Sequence, residues 1–332
     1  MKQILYTLIL VMFFTSCNDN NETVTEITPP ESIIPTVSSE AIYDVTLFHD
    51  IPYAEGLSHE SVNSINSQTI PLLLDVYVPN NDSNNRTVFM FIHGGGFISG
   101  NKEVAAAVNL ANYYTSRGFV FVSINYRLLN DFGTVPELWN AYTPFLDPAI
   151  AAQFLAIYPA QRDAKAALRW VVANADAYGI NTNYITVGGG TAGAVTAITL
   201  GVSEPQDFRD EISLDIDPTL STTNLDKSYD IKTIVDFWGS KAALDAYEQV
   251  YGPNRFDSND PPLFIAHGTA DPTVLYSSAT DLQAIYETNN VPYILHTLEG
   301  AGHGVWNATV DGKRLEQLSF EFVTEQQGLN LD

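Results

Sequence analysis

The stretch that most constrains the fold of this chain is Tyr184-Ile185-Thr186-Val187-Gly188-Gly189-Gly190-Thr191-Ala192-Gly193-Ala194. Its first four residues are aromatic or β-branched, which predicts a short buried strand. The glycines that follow let the backbone turn where side chains would collide. Residues 192–200 are small and apolar and predict a helix. A strand that turns at once into a helix belongs to an alternating α/β architecture. It also leaves one hydroxyl, that of Thr191, at the apex of the turn.

The flanking sequence continues the alternation. Residues 88–92, Val-Phe-Met-Phe-Ile, and residues 119–124 are unbroken apolar runs of the kind buried on both faces of a parallel sheet. Residues 43–48, 72–78, 233–238, 263–267 and 293–298 supply further strands. Helices are expected over 103–116, 161–178, 241–251, 277–289 and 309–326. In the second of these, Ala164, Ala167, Leu168, Val171 and Val172 make one apolar face. The expected fold class is α/β: a doubly wound, mostly parallel sheet of about eight strands with helices on both faces. Residues 129–160, with Phe132, Trp139, Tyr142, Phe145, Phe154 and Tyr158, are too long for a plain connection. They read as a small helical cap insertion, with an insertion that serves packing alone as the alternative.

Before residue 41 the composition changes. Met1-Lys2, an apolar run over 4–14 and the small pair Thr15-Ser16 form a secretory signal pattern, too short for a spanning helix. Cys17 follows directly and is the chain's single cysteine, so no internal disulfide is expected. Its position resembles a bacterial lipoprotein lipobox. The resemblance implies a signal peptide over 1–16, cleavage before Cys17, acylation of that cysteine and a lipid anchor in the bacterial cell envelope. An ordinary secretory signal with an incidental cysteine is the other reading. Residues 17–40, rich in Asn, Thr, Glu, Pro and Ser, read as a disordered tether, and 41–332 as one domain.

The formal charge of −24 argues against nucleic acid as a partner, because phosphate binding needs clustered Lys and Arg. The acid-rich segment 204–230 lacks the D-x-[DN]-x-[DN]-G calcium loop, and the chain has no H-E-x-x-H zinc spacing. No G-x-G-x-x-G dinucleotide fingerprint opens a helix after an early strand. Neither a metal nor a cofactor is expected.

Three side chains fall just past predicted strands in the order hydroxyl, acid, histidine. They are Thr191, Asp271 in His267-Gly268-Thr269-Ala270-Asp271-Pro272, and His303 in Gly300-Ala301-Gly302-His303-Gly304. The carboxyl ends of strands are where open α/β sheets bind ligands. A glycine loop, His93-Gly94-Gly95-Gly96-Phe97, follows the strand at 88–92. With Asn125-Tyr126-Arg127 and the run from Asp163 to Trp170, these positions resemble the α/β-hydrolases of the carboxylesterase and lipase group that carry an HGGG oxyanion loop. The likeness extends over almost the whole chain after about residue 70. It implies an oxyanion hole made by the backbone N–H groups of Gly95, Gly96 and Ala192. It further implies His303 as general base and then acid, Asp271 as the group that orients its imidazole, and His93 as a residue that structures its loop. His49, His59 and His296 have no comparable context, and His267 reads as a core residue.

The elbow frame of that group is G-x-S-x-G. Here Gly189-Gly190-Thr191-Ala192-Gly193 places threonine where serine belongs. Ser99, Ser123, Ser203 and Ser240 all lack the frame, so no other serine replaces it. A threonine hydroxyl can act as a nucleophile, but a β-branched residue in a strained turn is costly. The missing side chain at Gly190 is expected to give Thr191 the room it needs. Two readings follow. One is a carboxylic ester hydrolase acting on a small-molecule ester through an acyl-threonine. The other is a relative that keeps the pocket for binding. Retention of both Asp271 and His303 favours the first, because a pure binder has no use for a general base.

Overall fold

The computed structural model describes residues 33–332, so the expected signal peptide over 1–16, Cys17 and most of the expected tether lie outside the described residues. Its centre is a sheet of eight strands: β1 (Val45–His59), β2 (Ser67–Pro79), β3 (Arg86–Ile92), β4 (Val120–Ile124), β5 (Ile180–Gly190), β6 (Ile231–Phe237), β7 (Leu263–Gly268) and β8 (Tyr293–Leu298). In space the order is β1-β2-β4-β3-β5-β6-β7-β8. The pairs β1–β2 and β2–β4 are antiparallel, and every pair from β4 to β8 is parallel. This is the α/β-hydrolase fold, and the sequence expectation of a mostly parallel, doubly wound sheet holds.

The helices are α1 (Ala105–Thr115), α2 (Glu137–Tyr142), α3 (Pro148–Ala173), α4 (Ala175–Tyr178), α5 (Ala192–Val202), α6 (Ala242–Tyr251), α7 (Ser277–Asn289) and α8 (Leu315–Gln327). Side chains alternate across a strand, and that alternation divides the core in two. Val88, Met90 and Ile92 of β3 pack with Ala164 and Leu168 of α3 and Ile198 of α5. Phe89 and Phe91, the residues between them, pack with Leu110 and Tyr114 of α1 and Phe320 and Val323 of α8. The continuous apolar run at 88–92 is thus a strand covered on both faces, and each fully buried Val, Met or Phe contributes about 1.5–3 kcal/mol.

Three expectations need correction. Residues 33–40 are not tether: Thr36–Val37 pairs in parallel with Asn330–Leu331, Val37 is buried, and the Ser38 N–H donates to the Arg117 carbonyl. A polar, proline-bearing composition concealed the single buried valine that docks this segment. The helix expected to start at 161 starts at Pro148 and runs through Pro159. Proline removes one helical hydrogen bond, and here its ring fills the space over Gly133, where an added Cβ would lie 2.6 Å from Pro159 Cβ. Finally, the helix expected over 309–326 begins only at Leu315. A two-stranded hairpin, Thr309–Val310 with Lys313–Arg314, precedes it. Its loop is Asp311-Gly312 with φ of 51° and 80°, a dipeptide suited to the mirror-image turns of tight hairpins.

The segment 129–160 comprises short 3₁₀ turns at Leu129–Asp131 and Thr143–Phe145, helix α2, and the first half of α3. Most of its aromatic rings pack on one another: Trp139 stacks on Phe154 at 4.4 Å and Tyr142 on Phe154 at 5.8 Å. Its contact with the candidate site runs through Gln153 and Ile157 of α3.

Candidate active site

Strand β5 ends at Gly190 and helix α5 begins at Ala192, so Thr191 alone makes the turn. Its backbone has φ 55° and ψ −119°, outside the ordinary left-handed region and rare for any β-branched residue. Such a conformation costs about 1–3 kcal/mol and persists only where the surroundings over-determine it. Here they do. The Thr191 N–H donates to the Phe237 carbonyl at 3.0 Å, and its own carbonyl accepts the Val195 N–H at 3.0 Å. The turn also requires close backbone contact: a Cβ on Gly193 would lie 1.9 Å from the Ile92 carbonyl oxygen, and one on Gly189 would lie 2.4 Å from Gly193 C. These two glycines of the elbow frame are present because backbone fills the place of their side chains.

The structure brings together the three side chains that the sequence placed after separate strands. Thr191 Oγ1 is 2.7 Å from His303 Nε2, and His303 Nδ1 is 2.7 Å from Asp271 Oδ2. A carboxylate only accepts, so Nδ1 carries the proton and Nε2 accepts from the Thr191 hydroxyl. Asp271 is buried, and its Oδ1 accepts the N–H groups of Thr273 and Val274 at 2.8 and 3.0 Å. Burial pushes this carboxyl up, but the hydrogen bonds from His303, Thr273 and Val274 outweigh it and hold the group below its ordinary value. Asp271 is therefore a fixed negative charge at neutral pH.

One further histidine stands beside it. His267, at the end of β7, is fully buried, donates from Nε2 to the Val274 carbonyl at 2.8 Å and lies 3.4 Å from Asp271 Oδ2. Burial lowers its pKa, so the ring stays neutral. The core assignment made from the sequence holds for its burial, and its ring also braces the segment that carries Asp271.

The loop after β3 carries two of the expected oxyanion donors. A peptide unit is a rigid plane, so fixing one carbonyl fixes the N–H that follows. The Gly94 carbonyl accepts His93 Nδ1–H at 2.7 Å, which orients the Gly95 N–H. The Gly95 carbonyl accepts from Ile98 and Ser99 at 3.0 and 3.1 Å, which orients the Gly96 N–H. Gly95 and Gly96 have φ of 109° and 64°, and a Cβ on Gly95 would lie 2.0 Å from the Ser99 carbonyl oxygen. Among the described residues, no protein group accepts a hydrogen bond from either N–H.

His93 itself stacks on Tyr126 at 4.3 Å, and the Tyr126 hydroxyl donates to the His93 carbonyl. Burial pushes its pKa down to about 4, which keeps the ring neutral. The Asn125-Tyr126-Arg127 motif is thereby explained. Asn125 Oδ1 accepts the Lys102 N–H at the far end of the loop, Tyr126 supports His93, and Arg127 makes a buried bidentate pair with Asp163.

Thr191, Ala192, Gly95, Gly96 and His303 all border one cavity of about 570 Å³. Phe97, Ile157, Val195, Ala242 and Val274 give it apolar walls, and Ser99, Gln153, Ser240 and Thr273 add neutral polar groups. Gln153 Nε2 donates to the Gly96 carbonyl at 2.9 Å and so ties the 129–160 segment to the glycine loop. The room expected at Gly190 for Thr191 is not there: a Cβ at 190 would instead meet Trp306, at 2.6 Å from Cζ2. The glycine that borders Thr191 is Gly94, where a Cβ would lie 3.3 Å from Thr191 Cβ and 3.4 Å from Oγ1. Trp306 has no motif around it, and the sequence offered no signal for it.

Metal-ligand spacing occurs once among the described residues, at His49, Asp75 and Glu103. The Lys102 ammonium fills that cluster, at 2.8 Å from Asp50, 2.9 Å from Asp75 and 2.8 Å from Glu103. The acids are thus balanced by a cation belonging to the chain.

Comparison with known proteins places this arrangement in a family. The BD-FAE family profile matches residues 74–137 and 151–254, half of the chain, from β2 through the glycine loop and the elbow to α6. The chain belongs to the BD-FAE family. Phenmedipham hydrolase of Pseudarthrobacter oxydans is 31% identical to this family member over 134 residues, covering 39% of this chain and 22% of that protein. Esterase LipC of Mycobacterium tuberculosis is 25% identical over 244 residues, covering 65% of this chain and 52% of its own. The chain spans about half or less of the length of these curated relatives. Among solved structures, a truncated carbohydrate esterase from gut microbiota superposes with a TM-score of 0.60 at 21% identity, covering 88% of this chain and 99% of that one. The Est2 esterase of Thermogutta terrifontis superposes with a TM-score of 0.55 at 22% identity, covering 81% and 92%. At these identities the structural likeness is one of fold.

Proposed function

We propose that this BD-FAE member is a carboxylic ester hydrolase that works through an acyl-threonine intermediate, with Thr191 as nucleophile. The observation that supports this most directly is the pair of 2.7 Å contacts joining Thr191 Oγ1, His303 and Asp271. Thr191 Oγ attacks the ester carbonyl carbon while its proton passes to His303 Nε2. The carbonyl π pair moves onto oxygen, where the N–H groups of Gly95, Gly96 and Ala192 receive the charge. Collapse expels the alcohol, which takes the proton from Nε2. Water then repeats the sequence on the acyl-threonine, releasing the acid and restoring the hydroxyl. Asp271 keeps the Nδ1–H tautomer and balances the imidazolium.

Among the described residues the cavity lining carries no Lys, Arg, Asp or Glu, which suits an uncharged ester on both the acyl and the alcohol side. The named activities of the curated relatives and structural neighbours, hydrolase and esterase, are in keeping with this reading. We propose further that the chain reaches the bacterial cell envelope and is anchored there by lipid on Cys17. Metabolic labelling with a radioactive fatty acid would then mark the full chain and spare a Cys17→Ala variant; equal labelling of both would reject the anchor.

The catalytic reading is tested by hydrolysis of p-nitrophenyl acetate and butyrate. Wild type and Thr191→Ser are expected to turn both over, and Thr191→Ala to lose turnover. If all three failed on a broad ester panel, the hydrolase reading would give way to a binding protein.

A further inference from the structure

We infer that Trp306 is the positioning residue that sets where His303 stands against Thr191, and that it does so by resting its indole on the bare backbone of Gly190. The two residues belong to different segments of the site. Gly190 is the last residue of β5, immediately before Thr191. Trp306 lies three positions after His303, on the loop that follows β8. A Cβ at position 190 would lie 2.6 Å from Trp306 Cζ2 and 3.0 Å from Cη2. At this point the rim of the indole meets the elbow backbone with no side chain of residue 190 between them.

The ring is enclosed on further sides. Trp238 meets it edge-on at 4.7 Å, Phe237 at 5.0 Å and Phe91 at 6.1 Å. Trp238 in turn meets the His303 imidazole edge-on at 6.3 Å, which gives a second, ring-to-ring path from Trp306 to the base. Elsewhere the histidine loop packs by its backbone on Gly268, where a Cβ would lie 2.3 Å from the Ala301 carbonyl oxygen and 2.7 Å from that of Gly302, while its own glycines face open space. A Cβ on Gly300, Gly302 or Gly304 would meet no atom within 4 Å, and Gly304 has φ of 73°. Backbone hydrogen bonds hold the loop at Ala301, with Leu298 and Ala270, and close the turn between Trp306 and Gly304. Between those points His303 sits on glycine-flanked backbone. Besides the 2.7 Å hydrogen bond to Asp271, the half-buried indole three residues away is what fixes it.

A cavity of about 140 Å³, bordered by Leu110, Phe237, Trp306, Asn307 and Leu315, adjoins the indole. It gives the ring somewhere to move. A methyl group at position 190 would then be relieved by displacement of Trp306, with His303 carried along, rather than by distortion of β5. Misplacement of a reacting group by about 1 Å costs on the order of 100-fold in rate.

Size exchange tests this. Trp306→Phe removes Cζ2 and Cη2, the atoms that a Cβ at 190 would strike. Gly190→Ala, Trp306→Phe and the double variant are compared with wild type in three measurements. These are kcat and KM on p-nitrophenyl acetate, thermal midpoint, and the ring-nitrogen NMR signals of His303. Gly190→Ala is expected to lower kcat about 100-fold with KM and thermal midpoint nearly unchanged, and to shift the His303 signals. The double variant is expected to regain about tenfold or more over Gly190→Ala, a non-additive recovery that a merely structural role would not produce. Trp306→Phe alone is expected to broaden or shift the His303 signals. Wild-type kcat and His303 signals in Gly190→Ala, or a double variant no better than Gly190→Ala, would overturn the inference, as would unchanged signals in Trp306→Phe. The kinetic arm rests on the hydrolase reading, whereas the imidazole signals report the contact whether or not an ester is turned over, so the two failures are told apart.

Discussion

Asp236 offers a stability prediction whose sign follows from burial. It lies in β6, is fully buried, accepts the Gly239 N–H on Oδ1 at 2.6 Å, and has no hydrogen-bond partner on Oδ2. Burial pushes its carboxyl from 3.8 up to about 7, against the opposing pull of the Gly239 N–H. Between those values the native state holds a proton that the unfolded chain releases. Its contribution to stability is therefore complete below 3.8 and is lost as pH rises through about 7. At about 1.4 kcal/mol per pKa unit, the protein loses about 2.5 kcal/mol from this group between pH 5 and pH 8. Asp236→Asn removes the titration. Its amide oxygen retains the Gly239 bond, while its NH₂ stays unpartnered at a constant cost of about 1–3 kcal/mol. Urea unfolding of both proteins at pH 5 and pH 8 cancels that constant. The variant is expected to gain about 2.5 kcal/mol on wild type from the lower pH to the higher. The same stability difference at both pH values would refute the reasoning.

Thr191→Gly is expected to be more stable than Thr191→Ala by about 1–2 kcal/mol in urea, because both lack the hydroxyl and only glycine relieves the positive φ; a more stable alanine variant would mean the turn is unstrained. Asp163→Ala removes the bidentate partner of the buried Arg127 guanidinium, leaving it Asp217 at 3.9 Å and the Leu57 carbonyl, and is expected to cost about 3 kcal/mol, whereas Arg127→Met with Asp163→Leu recovers most of it. Equal losses in the single and double variants, measured by chemical unfolding, would contradict that. Asp271 has a depressed carboxyl, so its stabilisation is present above 3.8 and lost as pH falls through its lower native value. Asp271→Asn is accordingly expected to flatten the acid limb of the stability curve, and an unchanged limb would reject the assignment.

The central strands were legible because burial on both faces leaves runs such as 88–92 without a polar residue, and the elbow because its glycines have no alternative use. Asp271 and His303 were legible by their place after strands, since the sheet brings those ends together whatever lies between. Other features left no local trace. Val37 docks against the chain's far end, a pairing visible only in three dimensions. The first half of α3 runs through Pro159, where a single lost hydrogen bond is tolerated because the ring has Gly133 to fill. Gly190 shows the limit most clearly. Its lack of a side chain suggested space for its neighbour, but the occupant of that space is Trp306, more than a hundred residues on.

The account stands on Thr191 carrying the acyl group. The direct measurement is to quench the protein during turnover of p-nitrophenyl butyrate and map the digest by mass spectrometry. The account predicts a butyryl mass increment on the peptide that contains Thr191, absent from Thr191→Ala and much reduced in His303→Ala, which lacks the base that forms the acyl group. Ester turnover without any increment at Thr191, or with turnover persisting in Thr191→Ala, would contradict it.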